Sequence, residues 1–344
     1  MRSRRSACVV AVIACLVLSG CGPAPVVAAA DGSVMTSQVT LAGFAVSKSA
    51  HESARVAFAD TEQGSGVAWA SSYGPSGDQS RAVASGLPAD VVHVSIPDDI
   101  ERLVAAGRVS PQWSDGEDAG VLASSVVVFV VRRGNPKNIT DWEDLTRADV
   151  SVVTPNPGAS GAARWNIVAA WASQIAAGGS PEEADAFVGE VMSRVATLPS
   201  SSRDATTAFS AGTGDVLLSY ENEAIAARQH GVDVDYVIPP STVRIDTPGA
   251  VTIGAPQAAS DYLAFARSDA GQRAFAVEGF RPFGDADWVS SLVVPGAMDP
   301  HDPFPTPATL LTVDDVGGWD VVTQRLFAAD GVVARLQREA GGAS

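Results

Sequence analysis

Residues 150–177 read VSVVTPNPGASGAARWNIVAAWASQIAA, and this stretch carries the pattern from which the rest of the chain is built. The run at 150–155 is rich in valine and predicts a strand. The Pro155-Asn156-Pro157-Gly158 segment cannot continue either regular structure and predicts a tight turn. From Ser160 onward, alanines and large apolar residues recur at helical spacing and predict a helix over 160–177. Strand, turn and helix therefore follow one another without a linker.

The same alternation extends in both directions. Strands are expected at 39–46, 66–72, 91–96, 124–131, 215–220, 235–239 and 250–254. Helices are expected at 49–60, 78–86, 97–106, 141–146, 181–195, 204–211, 221–230, 257–266, 268–278 and 314–339. Strands separated by helices imply βαβ units and an α/β fold with mostly parallel sheets. Periodicity leaves open whether there is one sheet or two lobes joined by crossing strands.

The amino terminus has a different character. Arg2, Arg4 and Arg5 precede an apolar run, Cys8–Leu18, that is too short to span a bilayer but suits a secretory signal. It ends in Leu18-Ser19-Gly20-Cys21, the form of a bacterial lipobox, so residues 1–20 are expected to be a signal peptide and Cys21 to carry the lipid. Stable anchoring takes two or more acyl chains. Residues 21–36 are small and proline-containing and suit a flexible tether. The expected location is extracytoplasmic, anchored to the cell membrane by lipid.

With 23 Lys+Arg against 39 Asp+Glu the net charge is −16, and removing residues 1–20, which hold three arginines and no acid, takes it to −19. Such a surface excludes nucleic acid as a partner. All three cysteines, Cys8, Cys15 and Cys21, lie within the first 21 residues, so the mature chain has no disulfide framework. The four histidines, His51, His93, His230 and His301, lack ligand spacing and are expected to be structural or solvated. No metal or cofactor is expected.

Three turns open directly into helix patterns: 71–79, 154–165 and 199–204. Free backbone N–H groups and the positive end of the helix dipole make such places suited to an anion. Each alone is also ordinary helix-capping chemistry. An enzymatic alternative rests on Gly158-Ala159-Ser160-Gly161-Ala162, which approaches the G-x-S-x-G elbow of serine hydrolases, with Ser160 as nucleophile. Position 162 is alanine, however, and no histidine is tied to the segment. There is no G-x-x-x-x-G-K-[ST] phosphate loop.

The chain resembles the periplasmic sulfate-binding proteins, the solute receptors of sulfate/thiosulfate ABC importers. The resemblance is carried by Val131-Arg132-Arg133-Gly134-Asn135-Pro136-Lys137, Asp141–Leu145, the TPNPGASGAARWN stretch at 154–166, Gly214–Leu217, Glu221–Ala224, Gly279–Pro282 and Gly317–Trp319. It implies a two-lobed, type II periplasmic-binding-protein-like fold with a hinge and an interlobe cleft. Lobe I would comprise 37–124 and about 246–312, and lobe II 125–245. Residues 313–344 would form C-terminal helices crossing back over the hinge.

The resemblance also implies a function: capture of sulfate, held by backbone N–H and hydroxyl donors without a cation, and delivery by a monomeric receptor to the permease and ATPase subunits of an importer. Thiosulfate, molybdate and tungstate are the alternative ligands. Residue by residue it assigns backbone donors to Ser76, Gly161, Ala162 and Ser202, and a hydroxyl donor to Ser160. Asp99 and Arg164 would form an ion pair at the cleft wall. Two positions depart from the family: Tyr220 stands where an indole donor is expected, and Ser47 replaces a donor in an aspartate-proline turn. Two readings of Tyr220 stay open: it donates directly to the ligand, which is the favoured one, or it leaves a gap that a water or another donor fills.

Overall fold

Two long strands, Val121–Arg132 and Ser241–Val251, organise the chain, and the computed structural model describes residues 37–283 and 287–342. Cys21, the signal segment and the tether lie outside the described residues. In order, the elements are β1 (Ser37–Phe44), α1 (Lys48–Ala59), β2 (Val67–Gly74), α2 (Ser76–Ala84), β3 (Val91–His93), α3 (Pro97–Ala105) and β4 (Val121–Arg132). Next come β5 (Val152–Val153), α4 (Gly161–Ala176), α5 (Pro181–Ser193), β6 (Val195–Thr197), α6 (Ser202–Ser210), β7 (Val216–Tyr220), α7 (Glu221–Gln229) and β8 (Val234–Val237). The chain finishes with β9 (Ser241–Val251), α8 (Gln257–Arg267), α9 (Asp269–Ala276), β10 (Thr309–Leu311), α10 (Gly318–Val322) and α11 (Val332–Gly342).

The strand order is β2-β1-β3-β9-β4-β7-β5-β6, with β8 also on β4 and β10 on β9. At one end β1 pairs in parallel with β2 and β3; at the other, β5 pairs in parallel with β6 and β7. The two parallel groups meet through β4 and β9. Residues 121–126 of β4 run antiparallel to 244–248 of β9, and from Val127 onward β4 pairs with β7 and β8 instead. The last residues of β9, Gly249–Val251, pair with β3. β4 can serve both groups because Leu122–Val131 are buried without interruption, the signature of a strand covered on both faces.

Two expectations need correction, and two short strands went unforeseen. The strand expected at 250–254 is the end of an eleven-residue strand. Its alternation of buried Val243, Ile245 and Thr247 with Arg244 and Asp246 is regular, but Pro248 and Gly249 disguise it as a breaker. The helix expected at 314–339 is broken into α10, a π-turn at Thr323–Phe327 and α11. Ahead of α10, Gly317 and Gly318 adopt φ of 100° and 83°, a conformation that glycine reaches without strain and that ends the 3-10 turn Asp314–Val316 before α10 begins. The short strands β6 and β10, with three residues each, offered too few residues for periodicity to register.

The core beside β3 contains a fully buried polar chain. His51 Nδ1 lies 2.7 Å from the Tyr262 hydroxyl, His51 Nε2 lies 2.8 Å from His93 Nδ1, and His93 Nε2 lies 3.0 Å from Thr247 Oγ1. Thr247 Oγ1 donates its own proton to the Ala123 carbonyl, so it must accept from His93. That fixes both tautomers: Tyr262 donates to His51, His51 Nε2–H to His93, and His93 Nε2–H to Thr247. Burial pushes the His93 pKa down to about 3, with Arg267 acting in the same direction. His51 is also held well below its ordinary value, by burial first and then by His93 and Arg55.

Candidate functional site

The three anion-suited turns converge. Tight turns fix where each helix begins: Asn156 Oδ1 accepts the Gly158 N–H, and its carbonyl accepts the N–H groups of Ala159 and Ser160. Asn156 N–H donates to the Pro199 carbonyl, tying the second turn to the third. Gly77 N–H donates to the Ala159 carbonyl at 3.1 Å, tying the first to the second. Between them lies a small cavity of about 10 Å³.

Its wall is made of Phe44–Val46 and Gly74–Ser76 on one side, Ser160, Ala162, Ser201 and Ser202 on the other, and Ser95. No ionisable side chain among the described residues lines it. The starts of α2, α4 and α6 all abut it, and the first N–H groups of a helix have no partner within that helix. Pro75 precedes α2 and offers no capping side chain, and Ser160, at the N-cap of α4, makes no side-chain cap bond. Ser201 does cap α6, accepting from Asp204 N–H at 3.1 Å. The wall therefore presents N–H and O–H groups together with three positive dipole ends, among residues that are mostly buried.

Ser76, Ser160, Ala162 and Ser202 line the cavity. The Ser76 hydroxyl is engaged, donating to Asp99 Oδ2 at 2.6 Å and accepting from Ser95 N–H at 2.8 Å, so its backbone N–H is what remains. Gly161 stands behind the wall against Ser95, where a Cβ would come within 2.7 Å of Ser95 Cβ. The Ser202 hydroxyl is buried with no hydrogen-bond partner among the described residues.

Three assignments change. Ser47 is buried with its hydroxyl on the Phe44 carbonyl, and Phe44–Val46 reach the cavity in its place. Tyr220 stands one layer back: its fully buried hydroxyl is 2.6 Å from Ser95 Oγ, and it is Ser95 that lines the wall. Asp99 and Arg164 do not pair. Arg164 Nη1 lies 3.2 Å from Asp98 Oδ2, whereas Asp99 binds Arg102 Nη1 at 2.6 Å. The reason is helical geometry. Adjacent residues at the start of α3 point about 100° apart, so Asp98 faces α4 and Asp99 faces Ser76. Thr323 from the C-terminal segment also donates to Asp98. Burial raises the Asp98 pKa, and Arg164 opposes that.

Gly74, Pro75 and Ser201 lie within the turns read from the sequence but were not singled out, whereas Phe44–Val46 and Ser95 lie outside those turns and were missed. Ser95 had a usable signal, because it sits between a strand and the helix beginning at Pro97, the same arrangement as the other three turns. Behind Tyr220, the buried Glu221 carboxylate is held by Arg281 through two bonds, of 2.5 and 2.9 Å. No group of three or more His, Cys, Asp or Glu side chains suited to a metal ion occurs among the described residues. None of the histidines hydrogen-bonds Ser160 among those residues; His51 and His93 bind each other, and His230 binds the Ala226 carbonyl.

The family model for bacterial extracellular solute-binding proteins matches residues 39–281. A sulfate-binding protein of Synechococcus elongatus is 38% identical over 323 residues, covering 90% of this chain and 89% of that protein. A thiosulfate-binding protein of Pseudomonas aeruginosa is 37% identical over 232 residues, covering 64% of this chain and 70% of its own length. The solved structure of the sulfate-binding protein SubI from Mycobacterium tuberculosis superposes with a TM-score of 0.79 at 42% identity, covering 85% of this chain and 99% of that one. The fold is thus the two-lobed type II periplasmic binding-protein fold, with a hinge and a cleft between lobes. The chain belongs to the bacterial extracellular solute-binding proteins and, among them, to the sulfate-binding protein family.

Proposed function

We propose that this chain is a receptor that captures sulfate in the cavity between α2, α4 and α6 and presents it to the permease and ATPase subunits of an ABC importer. One observation carries the reading: a cavity with no ionisable side chain in its wall among the described residues, ringed by three helix starts and by serine hydroxyls. A fully ionised tetrahedral anion offers only acceptors and suits a wall of donors. The protein's −16 charge is then no obstacle, because the attraction is local and acts where water does not screen it. The receptor acts as a monomer without chemistry of its own, and Ser160 serves as a hydroxyl donor rather than as a nucleophile.

Residues 37–124 and about 246–312 form lobe I, 125–245 form lobe II, and 313–344 cross back over the hinge. The change of partner within β4 at residues 126–127 supports a hinge there. Cys21 carries the lipid that holds the receptor at the membrane. Thiosulfate, molybdate and tungstate are the competing ligands, and the relative named for thiosulfate keeps that one in view.

Isothermal calorimetry on the full chain in detergent, with sulfate, thiosulfate, molybdate and phosphate in turn, tests the ligand. A ligand present at 100 times its Kd should also add about 2.7 kcal/mol of stability. No heat and no thermal shift with any of the four would refute the oxyanion reading. A Cys21→Ser chain that stays in the membrane fraction after a salt wash would refute the anchor.

A further inference from the structure

We propose that Ser95 and Tyr220 act as one relayed donor: Tyr220 donates to Ser95 Oγ, and the Ser95 hydroxyl thereby turns its proton into the cavity. This rests on the reading of the cavity as an oxyanion site and adds to it a ligand-contacting residue, Ser95, with a positioning residue, Tyr220, behind it. The two oxygens are 2.6 Å apart, and geometry alone allows either to donate.

Chemistry settles the direction. Tyr220 is fully buried, and among the described residues its hydroxyl has Ser95 as its hydrogen-bond partner. Were Ser95 the donor, the phenol proton would be left in the core without an acceptor. A phenol is also a far stronger acid than an aliphatic alcohol and so the better donor of the two. With Tyr220 donating, Ser95 has one proton to place; Ser95 is itself fully buried, and the cavity it lines is where that proton can turn.

Ser95 is held for this role from both sides of the cleft. Its N–H donates to Ser76 Oγ at 2.8 Å, and its carbonyl accepts the Trp165 indole N–H at 2.7 Å. Its Cβ fits against Gly161, where any larger residue would displace it. Those three contacts fix the backbone and Cβ, leaving χ1 as the free torsion, and the bond from Tyr220 restrains that. The relay also spans the two sides, since Ser95 precedes α3 while Tyr220 precedes α7. Donation therefore requires that the two sides be together.

A double-mutant cycle on sulfate affinity tests this, measured by calorimetry on the full chain in detergent, with Ser160→Ala as a control. Ser95→Ala keeps the Cβ that packs on Gly161, and Tyr220→Phe keeps the ring, so ligand-free melting of both should confirm folded protein. Ser95→Ala is expected to weaken sulfate about tenfold or more, and Tyr220→Phe about three- to tenfold. The double variant should match Ser95→Ala alone, because Tyr220 acts only through Ser95.

Losses that multiply in the double variant would overturn the relay, since Tyr220 would then act on the ligand independently. Parent-like affinity in Ser95→Ala would overturn it as well, and if Ser160→Ala still loses affinity, the oxyanion reading survives that outcome. Absence of oxyanion binding by the parent chain would refute both.

Discussion

Replacing His51 and His93 together by leucine should flatten the dependence of stability on pH. Both rings are neutral in the folded protein, His93 with its pKa pushed down to about 3 and His51 also held well below its ordinary value. In the unfolded chain each returns to about 6.5. Below that value the unfolded state binds protons that the folded state refuses, so stability falls as pH falls, until the folded pKa is reached. Integrating the linkage relation from pH 7.5 to pH 5 gives about 2 kcal/mol per ring and about 4 kcal/mol for the pair. That is a large part of a domain stability of about 5–15 kcal/mol.

The groups around the pair do not relieve the cost. Arg55 and Arg267 are cationic, and the phenols of Tyr73 and Tyr262 stay protonated, Tyr73 at about 12. Urea unfolding at constant ionic strength, run from pH 7.5 to pH 5 on the parent and on His51→Leu/His93→Leu, reads the difference. The variant will be less stable at neutral pH, because Tyr262 and Thr247 lose partners. Its slope below pH 6.5 should nevertheless be shallower by about 4 kcal/mol over the range. Parallel curves for the two proteins would show that the rings are not neutral in the fold and would refute the argument.

Ser160→Ala should weaken sulfate by about 1.5–3 kcal/mol, the range for a hydrogen bond to a charged group, as read by calorimetry. Gly161→Ala should cost about 1–3 kcal/mol of stability by overpacking against Ser95, measured by urea unfolding, and should reduce affinity as well. Arg281→Met strands the buried Glu221 carboxylate and should lower stability by about 3–5 kcal/mol, whereas Glu221→Gln/Arg281→Met should recover most of that loss.

The strand–turn–helix alternation was legible because each element announces itself locally, through proline and glycine at the turns and alanine in the helices. The convergence of three turns was legible only in outline. Which side chain faces the cavity depends on a rotation of one residue, and here Phe44–Val46 face it where Ser47 was expected. The partner of Arg164 was missed for the same reason, since Asp98 and Asp99 are equivalent in sequence and lie on different faces of α3. Tyr220 could be placed near the site by resemblance. That its hydroxyl stops at Ser95 depends on a contact across 125 positions of sequence, which no local pattern encodes.

The cavity wall contains nothing that titrates near neutrality, since amide and serine protons are not lost in the physiological range. If sulfate is its ligand, grip should hold constant from mildly acidic to mildly alkaline surroundings, where a lysine- or histidine-based receptor would change strength. The lower limit of the working range would then be set away from the ligand, in the core, where the two neutral imidazoles resist protonation. Capture and endurance answer to acidity through different parts of the molecule.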